Sequence, residues 1–355
     1  MFSHLIRILP AAAVACSLAG CVTSAPAPGK LLKPRLLFNL PEMYNSPDGM
    51  TVGKDGNIYL SMNNKGNQDY PGLIMRISDE DKLKPFCTLP VHPQTGKVSP
   101  LGIVFAGDGN LYIADNQAFV TTKAGQSRLL RVNLQNGKPV GAVDVVAEGF
   151  TMANGIAAHG DQIFVNDTCI ADTAGQPLKS GTYRFRLNEL QAGAPVKVTG
   201  WDDPHMVLKV TTKTGGTGRV GANGVACDDQ GVLYVCNFGD REIIKVTFTP
   251  TGGVATTGIL ARNGGLESLD GLQFCRANGM LYVADFLGNA VAAVSPKTGA
   301  ITILAKNGPG DGVDGSLDAP SECIRRGNKL YISNIDITYG PNTHDNVHTM
   351  SVLDL

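Results

Sequence analysis

The chain has 355 residues and a formal net charge of −1, with 43 glycines, 20 prolines and only 17% charged residues. This composition is typical of a folded domain with many turns, and a net charge near zero argues against a polyanion such as nucleic acid as a partner. Long stretches with the 3.6-residue apolar period of helices are missing from the sequence, which favours an all-β fold.

The N-terminal segment differs in character from the rest of the chain. Residues 1–20 combine a weakly basic start, an apolar stretch and small residues before Cys21, and so resemble a bacterial lipoprotein signal peptide. We therefore expect cleavage before Cys21 and lipidation of that cysteine, followed by a linker over residues 21–34. Val22 resembles the signal for outer-membrane delivery, so the lipid alone would hold the domain at the cell envelope, facing the periplasm. An ordinary cleaved secretory signal is the alternative, and it also predicts export.

One motif recurs six times in the remaining chain. A polar residue, usually followed by glycine, precedes by about ten residues an apolar strand centred on Tyr or Phe, and the copies are 53, 53, 69, 47 and 52 residues apart. A period near fifty with strand signals in every copy is typical of a β-propeller, whose blades are copies of one four-stranded sheet. The sequence therefore predicts a six-bladed β-propeller over residues 35–355. The copies begin at Asp48, Leu101, Asn154, Asn223, Asp270 and Glu322, and their aromatic residues are Tyr59, Tyr112, Phe164, Tyr234, Tyr282 and Tyr331.

The sequence also predicts how the ring of blades closes. The last copy ends one strand short after the apolar segment 348–353, and the segment 35–39 has the pattern of the missing strand. Pairing an N-terminal strand into the last blade removes two open sheet edges, which are otherwise prone to aggregate. We therefore expect the N-terminal strand to complete the sixth blade.

The pattern resembles the six-bladed calcium-dependent hydrolases that comprise gluconolactonase, senescence marker protein and the luciferin-regenerating enzyme. In that family the central metal is held by an acid from the first blade, an Asn from the third, an Asn from the fourth and an Asp from the fifth. Asn154, Asn223 and Asp270 match those places in order and type. The first-blade acid is usually Glu in the family and is the shorter Asp48 here, so a bridging water would be needed, or Glu322 would supply the longer reach.

The chemistry of these residues supports a metal on its own. Carboxylates and amide oxygens that converge on a narrow channel repel one another unless a hard divalent cation with oxygen ligands neutralises them. Calcium suits this set better than zinc, which prefers nitrogen or sulfur ligands. The alternative is that the Asp-Gly and Asn-Gly pairs only make tight turns before each inner strand.

The resemblance implies hydrolysis of a lactone or ester, with Asp270 as general base or as nucleophile beside the ion. Aryl esters and phosphotriesters stay open as substrates. A non-catalytic ligand-binding or scaffolding propeller with a structural calcium ion is the alternative, and a propeller lyase or quinone-dependent dehydrogenase has weaker support. The residues predicted to bind substrate are Leu101, Phe119, Trp201, His205, Tyr339 and His344.

Overall fold

The computed structural model describes residues 29–214 and 219–355. The predicted signal peptide and the lipidation site Cys21 lie outside the described residues. Within the described ranges the chain forms antiparallel sheets arranged as a six-bladed β-propeller, as the sequence predicts. None of the helices in these two ranges is long and apolar enough to cross a membrane. The short 3-10 helices are Glu42–Tyr44, Gln117–Phe119 and Leu187–Glu189.

Each blade has an inner, a second, a third and an outer strand. In blade 1 these are Pro47–Val52, Ile58–Met62, Leu73–Ile77 and Leu83–Thr88. In blade 2 they are Pro100–Phe105, Leu111–Asp115, Ser127–Val132 and Asp144–Phe150. In blade 3 they are Ala153–His159, Gln162–Ala171, Leu178–Arg186 and Met206–Thr212. In blade 4 they are Ala222–Cys227, Leu233–Asn237, Glu242–Phe248 and Val254–Arg262. In blade 5 they are Leu272–Cys275, Met280–Asp285, Ala290–Val294 and Ile301–Lys306. In blade 6 they are Pro320–Arg326, Lys329–Asn334, His348–Asp354 and Arg35–Leu40.

The N-terminal strand closes the ring, as predicted. It pairs antiparallel with the third strand of blade 6, with Arg35 opposite Val352 and Leu40 opposite His348. The residues just before it also contact the propeller, since the Leu32 amide donates a hydrogen bond of 2.7 Å to a carbonyl oxygen on the outer strand of blade 5. The described end of the predicted linker therefore lies against the neighbouring blade.

Blade 2 carries one strand more than the repeat predicts. The short strand Val196–Lys197 runs parallel beside the outer strand of blade 2, although it comes from the connection between the third and outer strands of blade 3. The long connection that contains this short strand, together with the long second and third strands of blade 3, accounts for the 69-residue interval in the motif. Blade 2 also carries a small hairpin formed by Leu134–Gln135 and Lys138–Pro139.

The glycine of the motif brings neighbouring inner strands together. A Cβ atom at Gly155 would lie 2.0 Å from the carbonyl oxygen of Asn223, and one at Gly224 would lie 2.3 Å from that of Asp270. The same contact would be 2.5 Å at the three equivalent glycines, Gly49, Gly102 and Gly271. These five glycines therefore serve the packing of one blade on the next, and the alternative that they only form tight turns is wrong.

The apolar core lies between neighbouring blades. All six aromatic residues of the motif are buried. The Tyr59 hydroxyl donates to a carboxylate oxygen of Asp55 at 2.9 Å, and the Tyr112 hydroxyl donates to Asp108 at the same distance. Each aromatic side chain thus fills the space between two sheets, and these hydroxyls fix the hairpin that joins the inner and second strands.

Candidate active site in the central channel

The starts of the inner strands meet at one end of the central channel. Asp48, Leu101, Asn154, Asn223 and Asp270 all line a cavity of about 340 Å³ there. The four polar residues of this set also line a narrower chamber of about 20 Å³, so they stand at the boundary between the two spaces. The propeller fold therefore brings together five side chains that are spread over more than two hundred positions of the sequence.

The sixth place of this ring belongs to Ser321. The glycine of blade 5 packs on the carbonyl oxygen of Ser321, just as the other motif glycines pack on ring residues, and Ser321 lines both the cavity and the chamber. Glu322 lines the chamber alone, in the position that glycine holds in the other blades. The assignment of Glu322 to the sixth ring position is thus wrong by one residue, although its carboxylate does enter the channel.

The contact between the last and first blades differs from the other five because it has room for this side chain. The Ser333 hydroxyl donates to the Asp48 carbonyl oxygen at 2.7 Å, and the Gln273 amide donates to the Met50 carbonyl oxygen at 3.0 Å. The Gln273 side-chain amide also donates to the Glu322 carboxylate at 3.2 Å. That carboxylate accepts a second hydrogen bond, from the backbone amide of Cys323, at 3.0 Å. This contact therefore lacks the motif glycine and is held in part by side-chain hydrogen bonds.

Three carboxyl groups face this channel, and their surroundings shift each one toward its neutral form. Burial raises the pKa of Asp48 to about 7 and that of Glu322 to about 8. Burial raises the pKa of Asp270 well above its ordinary value, and repulsion from Asp48 and Glu322 raises it further, while a hydrogen bond from Asn223 opposes this shift. The channel therefore stabilises whatever positive charge enters it, whether protons or a cation.

The donor atoms of the ring fit a hard divalent cation. They are carboxylate and amide oxygens on Asp48, Asn154, Asn223 and Asp270, with Glu322 below them in the chamber. Calcium is bound in proteins by carboxylate and amide oxygens of this kind. A divalent ion would also offset the burial cost and the mutual repulsion that disfavour the charged carboxylates.

Side chains of the second strands hold the ring residues in position through their backbone. The Ser61 hydroxyl donates to the Leu101 carbonyl oxygen at 2.6 Å, and the Asn166 amide donates to the Asn223 carbonyl oxygen at 2.7 Å. The Thr182 hydroxyl in turn donates to the Asn166 side-chain oxygen at 2.6 Å. In these two cases a blade fixes the ring residue of the next one.

A second set of recurring residues supports the ring, and sequence reasoning missed it. We call them the strand-end residues, since each lies at or directly after the end of a second strand, or within it in the long strand of blade 3: Asn63, Asp115, Asp167, Asn237, Asp285 and Asn334. Asp167 accepts hydrogen bonds from the backbone amides of Thr151 and Met152 at 2.8 and 2.7 Å, just before the inner strand of its own blade. The signal is present in the sequence, because an Asn or Asp follows every ring residue by 13 to 15 positions.

The walls of the cavity are mainly apolar. Of the predicted substrate-binding residues, Leu101, Phe119 and Tyr339 lie on this wall. The ring of Tyr339 lies 6.0 Å from both Phe238 and Phe286, which also line the cavity. The wall residues that sequence reasoning missed include Met152, Val220, Phe238, Phe286, Ile335 and Ile337. Phe238, Phe286 and Ile335 each directly follow a strand-end residue, so the same repeat could have found them.

A charged pair lies at the wall of the same cavity. Arg219 donates from Nε to the Asp172 carboxylate at 3.0 Å, and both residues line the cavity beside Cys169. The guanidinium of Arg219 is largely covered, and its charge is neutralised by the partner carboxylate. This pair adds a polar edge to a cavity that is otherwise apolar above the ring.

The structure places the other three predicted substrate-binding residues away from the cavity. Trp201 lies 5.3 Å from the ammonium groups of both Lys179 and Lys209, because its connection folds back on the outer part of blade 3. His205 belongs to the same connection, and its Nδ1 lies 2.9 Å from the Asp203 carboxylate. His344 turns toward the buried Asp336 instead. Trp201, His205 and His344 are therefore not among the residues that line the cavity.

The sequence matches no protein-family profile and no curated protein. In structure it is similar to a luciferin-regenerating enzyme, with a TM-score of 0.58 and 13% identity over 91% of this chain and 96% of the other. It is similar to a gluconolactonase from Xanthomonas campestris, with a TM-score of 0.55 and 16% identity over 94% and 98% of the two chains. It is also similar to the calcium-binding protein regucalcin from Agrobacterium tumefaciens, with a TM-score of 0.58 and 12% identity over 91% and 93%. These likenesses show that the chain has the six-bladed propeller fold of these proteins.

Proposed function

We propose that the protein is a calcium-dependent hydrolase of a lactone or ester with an apolar body. The observation that carries this proposal is the ring of carboxylates and amides at the floor of an apolar cavity. The names of the structurally similar proteins support it, since they describe a gluconolactonase, a luciferin-regenerating enzyme and a calcium-binding protein.

Asp48, Asn154, Asn223 and Asp270 would hold the ion, because their side chains stand between the cavity and the chamber. Glu322 would add negative charge from the chamber side. When bound, calcium supplies a Lewis acid for the substrate carbonyl oxygen and neutralises the buried carboxylates.

Asp270 is the residue that we propose for proton transfer or attack. As a general base it takes a proton from water, whose oxygen adds to the carbonyl carbon, and it returns the proton to the alkoxide that leaves when the ester C–O bond breaks. As a nucleophile its carboxylate oxygen adds to the carbonyl carbon, and the ester C–O bond breaks with loss of the alkoxide, which takes a proton from water. Water then hydrolyses the acyl-Asp270 anhydride by adding to the Asp270 carboxyl carbon, which releases the substrate acid. A single turnover in ¹⁸O-labelled water distinguishes the routes, because only the second one places the label in the Asp270 side chain.

The cavity wall predicts the kind of substrate. The hydroxyl groups of a sugar lactone would lose their water against Phe238, Phe286 and Ile335 without gaining partners there. An alkyl lactone or an aryl ester buries apolar surface on the same wall. We therefore expect such compounds to be better substrates than a polyhydroxylated lactone.

The test compares a panel of alkyl lactones, aryl esters and a phosphotriester with and without a calcium chelator. The variants are Asp270→Asn and the control Asp228→Asn, which changes a buried aspartate in the hairpin of blade 4. We expect chelation or Asp270→Asn to lower the hydrolysis rate by about 100-fold or more, and Asp228→Asn to retain it. Equally negligible rates for every compound and every variant would refute the proposed hydrolase activity. If calcium still raised the melting temperature in that case, the non-catalytic propeller with a structural ion would be the better description.

We also propose that Cys21 is lipidated and that the lipid anchors the protein at the cell envelope. The basis is the sequence around Cys21, which resembles a lipoprotein signal. Cells given a labelled fatty acid should incorporate the label into the wild type and not into Cys21→Ser. Equal labelling of the two proteins would contradict the assignment.

A further inference from the structure

A second group of metal-ligand side chains lies outside the central channel, beside the loop that joins the second and third strands of blade 6. Asp336, His344 and His348 each offer one ligand atom there, and these atoms all lie within 4.8 Å of one another. Asp318, Asp336 and Asp345 form an overlapping group with the same spacing. Asp336 and His348 are only 1% and 2% exposed, so the core of the first group is inside the protein.

The distances within the group suit a small cation. His344 Nδ1 lies 2.8 Å from Asp336 Oδ2, and His348 Nδ1 lies 3.7 Å from the same oxygen. The two imidazole rings are nearly parallel, with centroids 5.6 Å apart and planes inclined by 14°. Ligand atoms that surround zinc tetrahedrally at about 2.1 Å are separated by roughly 3.4 Å, which lies between the two observed distances.

Three buried polar atoms in the two overlapping groups have no hydrogen-bond partner among the described residues. They are Nδ1 of His348, Oδ1 of Asp336 and Oδ2 of Asp318. An unpaired buried polar atom is costly, and native proteins leave few of them. Three such atoms within one cluster point to a ligand that binds them together.

The surroundings of His348 favour metal binding by its Nδ1 atom. Its other nitrogen, Nε2, lies 3.0 Å from the Glu42 carboxylate, which in turn accepts a hydrogen bond from the Asn67 side chain at 2.8 Å. A ligating histidine commonly donates its second ring N–H to a carboxylate, which fixes the tautomer and leaves the first nitrogen free for the metal. Glu42 and Asn67 provide this arrangement.

We propose that Asp336, His344 and His348 bind a divalent transition metal of the zinc class, with Asp318 or Asp345 as a further oxygen ligand. Two imidazole nitrogens with one carboxylate suit zinc and its neighbours, whereas calcium prefers oxygen ligands alone. The donor set is therefore chemically distinct from the all-oxygen ring in the central channel.

The metal would also affect the substrate cavity. Ile335, Ile337 and Tyr339 line that cavity, while Asp336 lies between the first two in sequence and belongs to the second group. A metal ion on Asp336 and His344 would hold both ends of the segment that forms this wall. We expect zinc to change the apparent KM for large substrates more than kcat. This kinetic effect rests on the proposed function, whereas the metal site itself does not depend on it.

The test is calorimetric titration of the full metal-free protein with zinc, in the presence of excess calcium to saturate the central channel. The variants are Asp336→Asn and His344→Gln, which keep the approximate size of the side chain at the site. The matched control is His205→Gln, because His205 also lies 2.9 Å from a buried aspartate but does not belong to either group. Melting curves without metal show whether each variant is folded.

We expect one zinc ion per wild-type chain, with affinity reduced at least tenfold in Asp336→Asn and His344→Gln and unchanged in His205→Gln. X-ray absorption of the zinc complex should show two imidazole nitrogens. Zinc binding that is absent in the wild type, or that both folded variants retain unchanged, would overturn the proposal. Asp270→Asn should bind zinc normally, so failure of the hydrolase and failure of the zinc site give different results.

Discussion

The buried carboxyl groups of the central channel link the charge of the protein to its stability. Asp48 and Glu322 have folded pKa values of about 7 and about 8, above the ordinary values of 3.8 and 4.5. Between about pH 4 and pH 8 the metal-free folded protein therefore still holds protons that the unfolded chain has already released. These groups contribute stability that is complete below about pH 4 and that is lost as the pH rises through the folded pKa.

We predict that the melting temperature of the chelated protein decreases between about pH 5 and pH 8, and that Glu322→Gln decreases less over that interval. The substitution removes one of the groups that loses its proton, while an amide of the same size still accepts from Gln273. Added calcium should flatten the pH dependence of the wild type, because the bound ion neutralises the same carboxylates. Scanning calorimetry in a pH series measures this, and parallel slopes for the two proteins would contradict it.

The aromatic wall makes a separate prediction about substrate binding. Phe238 is 4% exposed and packs near Phe286 and Tyr339 above the ring. Phe238→Ala breaks up the aromatic wall against which a substrate would pack, so KM for an aryl ester should rise severalfold with kcat less affected. Phe248→Ala is the control, since Phe248 packs on Phe164 of the neighbouring blade but is not among the residues that line the cavity. A similar loss in both variants would indicate a general effect on folding.

At the scale of strands, the close approach of neighbouring blades depends on single glycines. We predict that Gly155→Ala lowers the free energy of unfolding by about 3 kcal/mol, because the new Cβ would lie 2.0 Å from a backbone oxygen of blade 4. Gly258→Ala is the matched control, since Gly258 also lies in a strand but a Cβ atom added there would meet nothing within 4 Å. Denaturant unfolding of the two variants tests this, and equal stabilities would show that the blades can separate at no cost.

The sequence predicted most of the strands and four of the polar ring residues, because both follow from one repeat with a fixed spacing. It failed by one residue in blade 6, where Glu322 has the chemical type of a ligand and Ser321 holds the position. The spacing to Tyr331 tolerates an error of one, and only the contact between blades resolves it. Trp201 and His205 were misplaced because their long connection folds outward, and no periodic signal constrains such a segment.

At the scale of the whole molecule, the fold depends on the N-terminal strand. We predict that a chain beginning at Pro34 melts cooperatively like the full protein, whereas a chain beginning at Pro41 does not. The shorter chain lacks the strand that pairs with His348–Asp354, along with the buried side chain of Leu40, and it leaves the edge of His348–Asp354 unpaired. Calorimetry and light scattering compare the two chains, and a cooperative transition in both would mean that five complete blades and one partial blade suffice.

The pairing of the N-terminal strand also determines when the propeller can complete its folding. Arg35 meets Asp354 across 319 positions of the chain, which is nearly the whole of its length. Contacts between such distant residues form slowly, because the entropy cost of closing so long a loop must be met before the contacts can stabilise the fold. The N-terminal strand is thus synthesised early and stays unpaired until almost the whole chain has been made. During this interval the blades have open ends that can pair with another chain, so the yield of refolding should fall as protein concentration rises.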